Sequence, residues 1–259
     1  MKFSIITVSL NSEKTIEKTI KSVLEQGVDD LEYIIIDGGS SDQTLNIINK
    51  YKNRISQIIS EKDEGVSDAF NKGLKLASGE IIGIINSDDW YEAGALKTVA
   101  EMMSSSETNF VVGALKYWDS NGRGFTVKPD KDYQKRIGYK MPHLNHPAAF
   151  FRKSVYEKIG LFDKKYHYAM DYDFFLRVFK NNLEGKLSDQ VLANMNLSGL
   201  SDENAIKAYR ETLEIADKKI KAFFYFIYSV AKYLIRLTLE KIDSGRLLNL
   251  IRKIKYQKI

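Results

Sequence analysis

The first third of the chain alternates short apolar runs, rich in β-branched residues, with segments of helical periodicity. Four of the apolar runs predict strands, at Phe3–Ser9, Tyr33–Ile36, Ile55–Ser60 and Ile81–Ile85, and the first and last of these are predicted to be buried. In the segment Thr15–Gln26, for example, apolar residues recur at the spacing of one helical face. Strands that alternate with helices of this length form right-handed βαβ units, so the sequence predicts an α/β fold around a mostly parallel sheet.

After about residue 110 the pattern changes and indicates strands that join the sheet in mixed or antiparallel directions. The predicted strands here are Phe110–Lys116, Ala148–Arg152 and Val191–Met195. Asn121 and Gly122 have the chemistry of a hairpin turn. The segment Asp130–Met141 is polar and without clear periodicity, which predicts a mobile loop. We place one α/β domain over residues 1–200.

Residues 201–259 form a tail of different character. Glu203–Lys219 predicts a charged helix, and Lys221–Glu240 predicts a strongly apolar and aromatic helix. Lys232 and Arg236 interrupt the second helix and argue against a membrane span. Aromatic and aliphatic residues beside basic ones favour an amphipathic helix on a membrane surface. The alternative is a helix that packs on its own domain or on a partner.

Composition limits the chemistry that the protein can perform. The chain has no cysteine and only three histidines, so a bound metal would depend on carboxylates, which favours Mg²⁺ or Mn²⁺. The net charge of +5 indicates an anionic partner without identifying it. No basic–aromatic cluster precedes the tail, so we predict no nucleic-acid partner. The apolar N-terminal run is short and lacks a small-residue cleavage site, which predicts no secretory signal.

Polar residues follow the predicted strands, at the edge where parallel sheets bind their ligands. These residues are Asn11, Asp37, Asp63 and the adjacent pair Asp88 and Asp89. Two neighbouring carboxylates are costly to hold together without a cation, and a divalent ion between them can bridge to a diphosphate. The alternative is that the pair belongs to a turn and a helix N-terminus, where aspartate is common.

Four motifs in this order carry a family resemblance. They are Ile5-Ile6-Thr7-Val8 with Asn11, Asp37-Gly38-Gly39-Ser40, Asn71-Lys72-Gly73, and Asn86-Ser87-Asp88-Asp89-Trp90. From Lys2 to Arg177 the chain resembles family-2 glycosyltransferases, which share the GT-A fold. With His146-Pro147-Ala148, it is especially similar to members that assemble O-antigens and capsules. One departure is Asn86, where many relatives have an acid.

The resemblance implies a nucleotide-sugar donor and assigns residues to it. Thr7 and Asn11 would lie near the nucleotide, Asp37 would accept a hydrogen bond from the base, and Asp63 would approach uracil or ribose. Lys72 would contact a phosphate, and Ser87 and Asp88 would contact the nucleotide. Asp88 and Asp89 would also bind the metal. Asp37 could instead be a turn residue, and Gly73 could end a helix. Residues 197–201 would close over the diphosphate.

A second acidic segment follows at Met170-Asp171-Tyr172-Asp173. The resemblance places the general base at Asp171, although Met170 replaces the glutamate that is commoner in relatives. Asp173 is predicted to pair with Arg177 one helical turn later, which is a structural role. His146 could contact the acceptor or the diphosphate, or could be a satisfied loop histidine. Trp90 and Tyr91 could stack on a sugar or pack in the core.

The resemblance implies an inverting, metal-dependent glycosyltransferase. It would move a sugar from a nucleotide diphosphate, with UDP favoured, to a hydroxyl of a lipid-linked bacterial surface glycan. We expect it in the cytoplasm, peripheral at the inner face of the plasma membrane. One alternative is a degenerate enzyme that acts as a scaffold in an assembly complex. The other is a nucleotidyltransferase, although Leu10-Asn11-Ser12-Glu13 is not the glycine-rich basic loop that such an enzyme needs.

Overall fold

The computed structural model describes residues 1–119, 122–196 and 204–242. Within these ranges the strands are β1 Phe3–Ser9, β2 Leu31–Asp37, β3 Gln57–Ser60, β4 Ile81–Asn86, β5 Trp90–Tyr91, β6 Phe110–Trp118, β7 Gly124–Val127, β8 Ala149–Arg152 and β9 Gly185–Asn196. The helices are α1 Ile16–Leu24, α2 Thr44–Lys50, α3 Val66–Leu76, α4 Ala95–Met102, α5 Tyr133–Arg136, α6 Lys153–Ile159, α7 Met170–Lys180, α8 Ala205–Ile215 and α9 Lys219–Ile242. Short 3₁₀ turns lie at Lys52–Arg54 and His146–Ala148.

All the described strands belong to one sheet, in the order β3-β2-β1-β4-β8-β6-β9-β5, with β7 paired to β6. The first four positions of this order are parallel, as the βαβ pattern predicts. In their register Ser9 lies opposite Asp37, and Asp37 lies opposite Ser60. The carboxyl ends of β1, β2 and β3 therefore align at one edge of the sheet, and β4 ends beside them, with Asn86 opposite Val8.

Strands β1, β2 and β4 are buried on both faces, which explains their largely apolar sequences, whereas the edge strand β3 is partly exposed. On one face, Ile6 packs in a core with Phe70 of α3. On the other face, Ile5 packs with Ile16 and Ile20 of α1. A Cβ atom at Gly73 would overlap Ile6, so this glycine allows α3 to lie close to β1. The suggestion that Gly73 ends a helix is wrong, because α3 continues to Leu76.

The second half of the sheet is mixed, as predicted. β8 runs antiparallel to β4, β6 runs antiparallel to β8, and β9 runs parallel to β6. β9 is longer than the predicted Val191–Met195 because its first half is polar and partly exposed, and so lacks an apolar signal. Asn121 lies outside the described residues, but β6 and β7 flank its position as an antiparallel pair.

The segment Asp130–Met141 is not the irregular loop that its polarity indicates. It contains α5, and the Asp130 carboxylate binds the Arg136 guanidinium at 2.5 Å. Ile137 is fully buried, and its carbonyl accepts a hydrogen bond of 2.6 Å from the Tyr172 hydroxyl. One buried apolar side chain and one ion pair, in which only Asp130 is buried, therefore anchor a segment too short to show helical periodicity.

The last two described helices pack against each other and against the α/β core. On α9, Ala222 and Ser229 are buried, and the Tyr225 ring lies 6.4 Å from the Tyr139 ring. The opposite face of α9 is exposed and apolar: Ile220, Phe223, Phe224, Ile227, Tyr228, Leu234 and Ile235. The packing alternative thus describes one face of this helix, and membrane contact of the exposed face stays a prediction. None of the helices in the described ranges has an apolar stretch that could cross a bilayer.

Candidate active site

Asp37 ends β2 and organises the loop that follows it. Its buried carboxylate accepts hydrogen bonds from five donors in the protein. They are the backbone N–H groups of Gly39 and Ser40 and the hydroxyls of Ser9, Ser40 and Ser60, at donor–acceptor distances of 2.5–3.2 Å. The turn role weighed for Asp37 is therefore present in the fold. Its contact with a nucleotide base stays a prediction.

Asp63 lies directly against the same loop. A Cβ atom at Gly38 would overlap the Asp63 carboxylate, so the glycine makes room for this acid. The other carboxylate oxygen of Asp63 accepts a 3.0 Å hydrogen bond from the backbone N–H of Gly65, just before α3. Gly65 has a φ of 110°, a conformation that glycine adopts without strain. The structure thus brings Asp37 and Asp63 together at the carboxyl edge of the sheet.

The loop after β1 is held to the loop after β2 through Asn11. Its side-chain oxygen accepts a 2.9 Å bond from the Ser41 backbone N–H, and its own N–H donates to the Ser40 hydroxyl at 2.8 Å. Asn11 has a φ of 49°, which asparagine tolerates better than most residues. Thr7 is farther inside: it is fully buried and hydrogen-bonded to the Tyr33 hydroxyl at 3.0 Å. Their roles toward a nucleotide stay predictions.

Ser87 joins the loop after β4 to the loop after β1. Its hydroxyl lies 2.7 Å from that of Ser12, and its backbone N–H donates to the Val8 carbonyl at 3.1 Å. Sequence reasoning missed Ser12 and also Ser60, which donates to Asp37. Both follow or end a parallel strand, so the strand-end rule that selected the acids would have found them if it had been applied to hydroxyls.

The acidic pair at the end of β4 differs sharply in exposure. Asp88 is half-buried, whereas Asp89 is only 1% exposed. Burial raises the pKa of the Asp88 carboxyl. Burial, followed by the charge of Asp88, raises the pKa of the Asp89 carboxyl well above its usual range. No donor in the described part of the chain reaches Oδ1 of Asp89, although the atom is buried.

The side chain that donates to Asp89 belongs to a neutral hydrogen-bonded pair, Asn86 and His146. The Asn86 amide donates to Asp89 Oδ2 at 3.3 Å and is hydrogen-bonded to Nε2 of His146, also at 3.3 Å. Burial lowers the pKa of His146 to about 4, so its ring is uncharged at neutral pH. Asn196, missed in the sequence, donates its amide to the Asp88 carbonyl at 2.8 Å. An amide at position 86 can donate to Asp89, which an ionised carboxylate at the same position could not do.

A hard divalent cation fits this arrangement in its chemistry. The unpartnered, buried Oδ1 of Asp89 needs a donor or a cation, and Asp88 adds a second carboxylate beside it. In the described ranges, no cluster of three or more acidic, histidine or cysteine side chains could hold a metal alone. The two aspartates would therefore share a cation with ligand oxygens and water. Mg²⁺ is commonly bound in this way, through one or two carboxylates and phosphates.

Lys72 lies on α3 next to the loop that carries Asp63. Its ammonium is 2.8 Å from the Glu61 carboxylate and donates to the Lys62 carbonyl at 3.0 Å. A second acid, Asp68, lies 3.6 Å away. A phosphate bound by Lys72 would have to compete with these partners, and this contact stays a prediction. The predicted closing segment at residues 197–201 lies outside the described residues.

Trp90 and Tyr91 have different environments. The Lys18 ammonium lies 2.9 Å from the centre of the Trp90 ring, and the Trp118 ring lies 6.0 Å away on a tilt. Trp90 is therefore one member of a half-buried aromatic pair next to the acids. Tyr91 is buried against Phe150, with ring centres 5.4 Å apart, so the core-packing alternative describes it.

Asp171 is the second residue of α7. Burial raises the pKa of its carboxyl to about 6, partly offset by hydrogen bonds to backbone N–H groups, and the charge of Glu211 raises it further. The Tyr172 N–H donates to Oδ1 of Asp171 at 2.8 Å. Asp173 pairs with Arg177 at 2.9 Å, which confirms its predicted structural role. A carboxyl with this pKa can accept a proton and is ionised at neutral pH.

The segment before α7 is fastened to α3, next to Asp63. Asn71 exchanges two hydrogen bonds with the backbone of Phe162, at 2.8 and 3.0 Å. The Ser67 hydroxyl donates to the Tyr166 carbonyl at 2.9 Å. The His167 ring lies within van der Waals contact of a Cβ atom placed on Gly65. The helix that carries Asp171 therefore begins near the N-terminal end of α3, which directly follows the loop that carries Asp63.

Comparison with known proteins agrees with this architecture. S. aureus TarS superposes with a TM-score of 0.65 at 25% identity, over 90% of this chain and 43% of TarS, so the chain spans less than half of that protein. A mannosyltransferase from Pyrobaculum calidifontis gives a TM-score of 0.65 at 16% identity, over 97% of this chain and 79% of that one, which shows a shared fold alone. The protein thus has an α/β fold of the GT-A type.

The sequence comparisons are more specific. Residues 4–160 match the family described as Glycosyl transferase family 2. A PGL/p-HBAD biosynthesis glycosyltransferase of Mycobacterium tuberculosis is 31% identical over 224 residues, which cover 83% of this chain and 85% of the relative. The chain therefore belongs to glycosyltransferase family 2.

Proposed function

We propose that the protein transfers a sugar from a nucleotide diphosphate to a hydroxyl of a surface glycan, with inversion at the anomeric carbon. The observation that carries this proposal is the placement of Asp171. Its carboxyl has a pKa raised to about 6. The residue lies at the start of α7, and the segment before α7 is fastened beside the Asp63 loop. An acid with this proton affinity suits the deprotonation of a sugar hydroxyl near neutral pH.

The donor in this proposal is a UDP-sugar. TarS, a poly(ribitol-phosphate) β-N-acetylglucosaminyltransferase, has been crystallised with UDP and with UDP-GlcNAc. The mutually bonded loops after β1, β2 and β4 provide a rigid surface for the nucleotide. We assign base and ribose contacts to Asp37, Asp63 and Asn11, with Thr7 beneath them, and we assign diphosphate contacts to Ser87, Asp88 and Lys72.

The transfer is one displacement. The Asp171 carboxylate takes the proton of the acceptor hydroxyl while the oxygen of that hydroxyl forms a bond to the anomeric carbon. The bond from that carbon to the diphosphate breaks, and the electron pair leaves with the nucleotide diphosphate. A divalent cation held by Asp88 and Asp89 supplies Lewis-acid stabilisation of the charge on this leaving group when it is bound. Attack from the face opposite the leaving group inverts the anomeric centre.

The acceptor in this proposal is a lipid-linked glycan, as in the assembly of O-antigens or capsules. The exposed apolar face of α9 supports it, since such a face would rest on the inner surface of the plasma membrane. Lysines such as Lys221 flank this face and suit anionic headgroups. An enzyme held there meets a membrane-bound acceptor in two dimensions rather than three.

A donor screen tests the proposal. The purified protein is incubated with a panel of nucleotide-sugars and Mg²⁺ or Mn²⁺, and the slow release of nucleotide diphosphate is measured. We expect release from one donor, lost in Asp89→Ala and reduced by about 10²-fold or more in Asp171→Asn. Nucleotide binding by calorimetry should survive Asp171→Asn. Absence of both release and cation-dependent nucleotide binding would contradict the proposal and favour a scaffold.

A further inference from the structure

Helix α7 begins without a side-chain cap of its own. Its N-cap residue is Ala169, and no side chain of the preceding segment bonds to its first N–H groups. A glutamate from a distant helix occupies that end instead. Glu211 of α8 accepts hydrogen bonds from the backbone N–H groups of three consecutive residues: His167 at 3.1 Å, Tyr168 at 2.8 Å and Ala169 at 2.8 Å. A carboxylate at a helix N-terminus is favourable because it complements the positive end of the helix dipole.

This carboxylate also acts on Asp171 through its charge, since Glu211 raises the pKa of the Asp171 carboxyl. The other charged groups nearby are engaged elsewhere. Asp173 is paired with Arg177 on the same helix, and Lys165 is paired with Glu214 of α8. The Lys207 ammonium, also on α8, lies 5.8 Å from the centre of the Tyr168 ring.

The segment from Tyr166 to Ala169 is therefore held from two sides. On the donor side, Ser67 of α3 binds the Tyr166 carbonyl, and the His167 ring lies beside Gly65. On the other side, Glu211 binds the three N–H groups that lead directly into α7. Loss of the Glu211 contacts would free the start of α7, while the loops after β1, β2 and β4 would keep their own hydrogen bonds.

We propose that Glu211 is a positioning residue for Asp171. It fixes the segment that sets the direction of the first turn of α7, and its negative charge adds to the effect of burial on the proton affinity of Asp171. This proposal rests on the assignment of Asp171 as the general base. It makes α8 a working part of the active site, although α8 lies beyond residue 160, where the family match ends.

The test compares Glu211→Gln with Glu214→Gln in the full-length protein. Both changes remove one negative charge from α8, but the Glu214 carboxylate pairs with the Lys165 ammonium and, among the described residues, accepts no backbone N–H of this segment. We expect Glu211→Gln to lower kcat by about tenfold, since small displacements of a catalytic group cost this much or more. The KM for the donor should stay within about twofold of wild type, and Glu214→Gln should match wild type in both constants.

The pH profile separates positioning from general loss of structure. Removal of the Glu211 charge lowers the pKa of Asp171, so the acidic limb of kcat should move to lower pH in Glu211→Gln and should not move in Glu214→Gln. Hydrogen–deuterium exchange gives a readout without catalysis: the amides of residues 167–169 should exchange faster in Glu211→Gln, because Gln accepts these bonds more weakly.

The outcomes distinguish this proposal from the one on which it rests. Unchanged kcat, acidic limb and amide exchange in Glu211→Gln would overturn the role of Glu211 even if Asp171→Asn is inactive. Full activity in Asp171→Asn would instead overturn the assignment of the base, and faster exchange in Glu211→Gln would then report a structural cap alone. Thermal unfolding of both glutamine variants checks that the comparison is made on folded protein.

Discussion

Gly38 and Asp63 lie so close that any side chain at position 38 would overlap the Asp63 carboxylate. The first follows β2 and the second follows β3, so their contact holds together the ends of two neighbouring parallel strands. Position 38 must therefore be glycine because Asp63 leaves no room for a side chain. A positive φ angle is not the reason, since the positive φ of this loop is at Gly39.

We predict that Gly38→Ala weakens donor binding. The new methyl group displaces Asp63 from the nucleotide side of the sheet, and we expect the dissociation constant for the nucleotide diphosphate to rise by about tenfold, or about 1.4 kcal/mol. Isothermal titration calorimetry measures this directly. Gly138→Ala is the control, because its Cβ atom would meet only the flexible Lys218 side chain. Equal affinities in Gly38→Ala and wild type would show that Asp63 does not contribute to donor binding.

The rate of transfer should follow the ionisation of Asp171. Since a base must be deprotonated and burial raises the pKa of this carboxyl to about 6, kcat should rise about tenfold per pH unit below that value and level off above it. Initial rates between about pH 5 and 9 test this. His146 has a pKa near 4 and is neutral throughout that range, so His146→Gln should leave the position of the limb unchanged. A rate independent of pH across this range would exclude Asp171 as the base.

A divalent cation should stabilise the protein through Asp89. The folded state raises the pKa of this carboxyl, so it binds a proton more tightly folded than unfolded. This lowers the free energy of unfolding. The effect is absent below the pKa of Asp89 in the unfolded chain, about 4, and grows as the pH rises above it. Without cation, Asp89→Asn should therefore be more stable than wild type at about pH 8, with a smaller difference at about pH 4.5.

Added Mg²⁺ or Mn²⁺ should stabilise wild type and leave Asp89→Asn unchanged. At ten times its dissociation constant a cation adds about 1.4 kcal/mol, which is roughly 3–6 °C in Tm for a chain of this size. Differential scanning fluorimetry at about pH 8 should show this rise in wild type and in the exposed control Asp189→Asn, but not in Asp89→Asn. The same Tm with and without cation in wild type would argue against a metal at the acidic pair.

The exposed face of α9 should bind anionic membranes. Phe224 is 67% exposed at the middle of this face, so Phe224→Glu places a charge where the helix would enter the headgroup region. We expect co-sedimentation with vesicles of phosphatidylglycerol to fall by about tenfold. Asn49→Glu, an equal change of charge at an exposed position on α2, should bind like wild type. Wild-type protein that fails to co-sediment would indicate that this face contacts a protein.

The parallel half of the sheet was predictable because β1, β2 and β4 are largely apolar runs of six or seven residues and because helices follow β1, β2 and β3. The acids and Asn11 were predictable for a related reason, since strand ends of parallel sheets meet at one edge. β5 and α5 were not, because segments of two and four residues are too short to show periodicity. Nor was the buried anchor Ile137, whose environment depends on Tyr172, far along the chain.

The contacts that refine the site come from tertiary packing. Glu211 meets the segment before α7 across more than forty residues of sequence, and no spacing rule relates the two. Asn196 reaches Asp88 across an even longer separation. The sequence showed that Asn86 stands where an acid was expected. Its role as a donor to Asp89 depends on the position of His146, to which it is also bonded, and the sequence does not give that position.

The five donors on Asp37 have a consequence for the kinetics of binding. They fix the loop after β2 when the protein folds, so its conformational entropy is already lost before a ligand arrives. A nucleotide bound there as proposed would have no chain to order, and its association would be limited by diffusion and orientation rather than by a slow rearrangement. Differences in affinity among donor sugars would then reside in their dissociation rates.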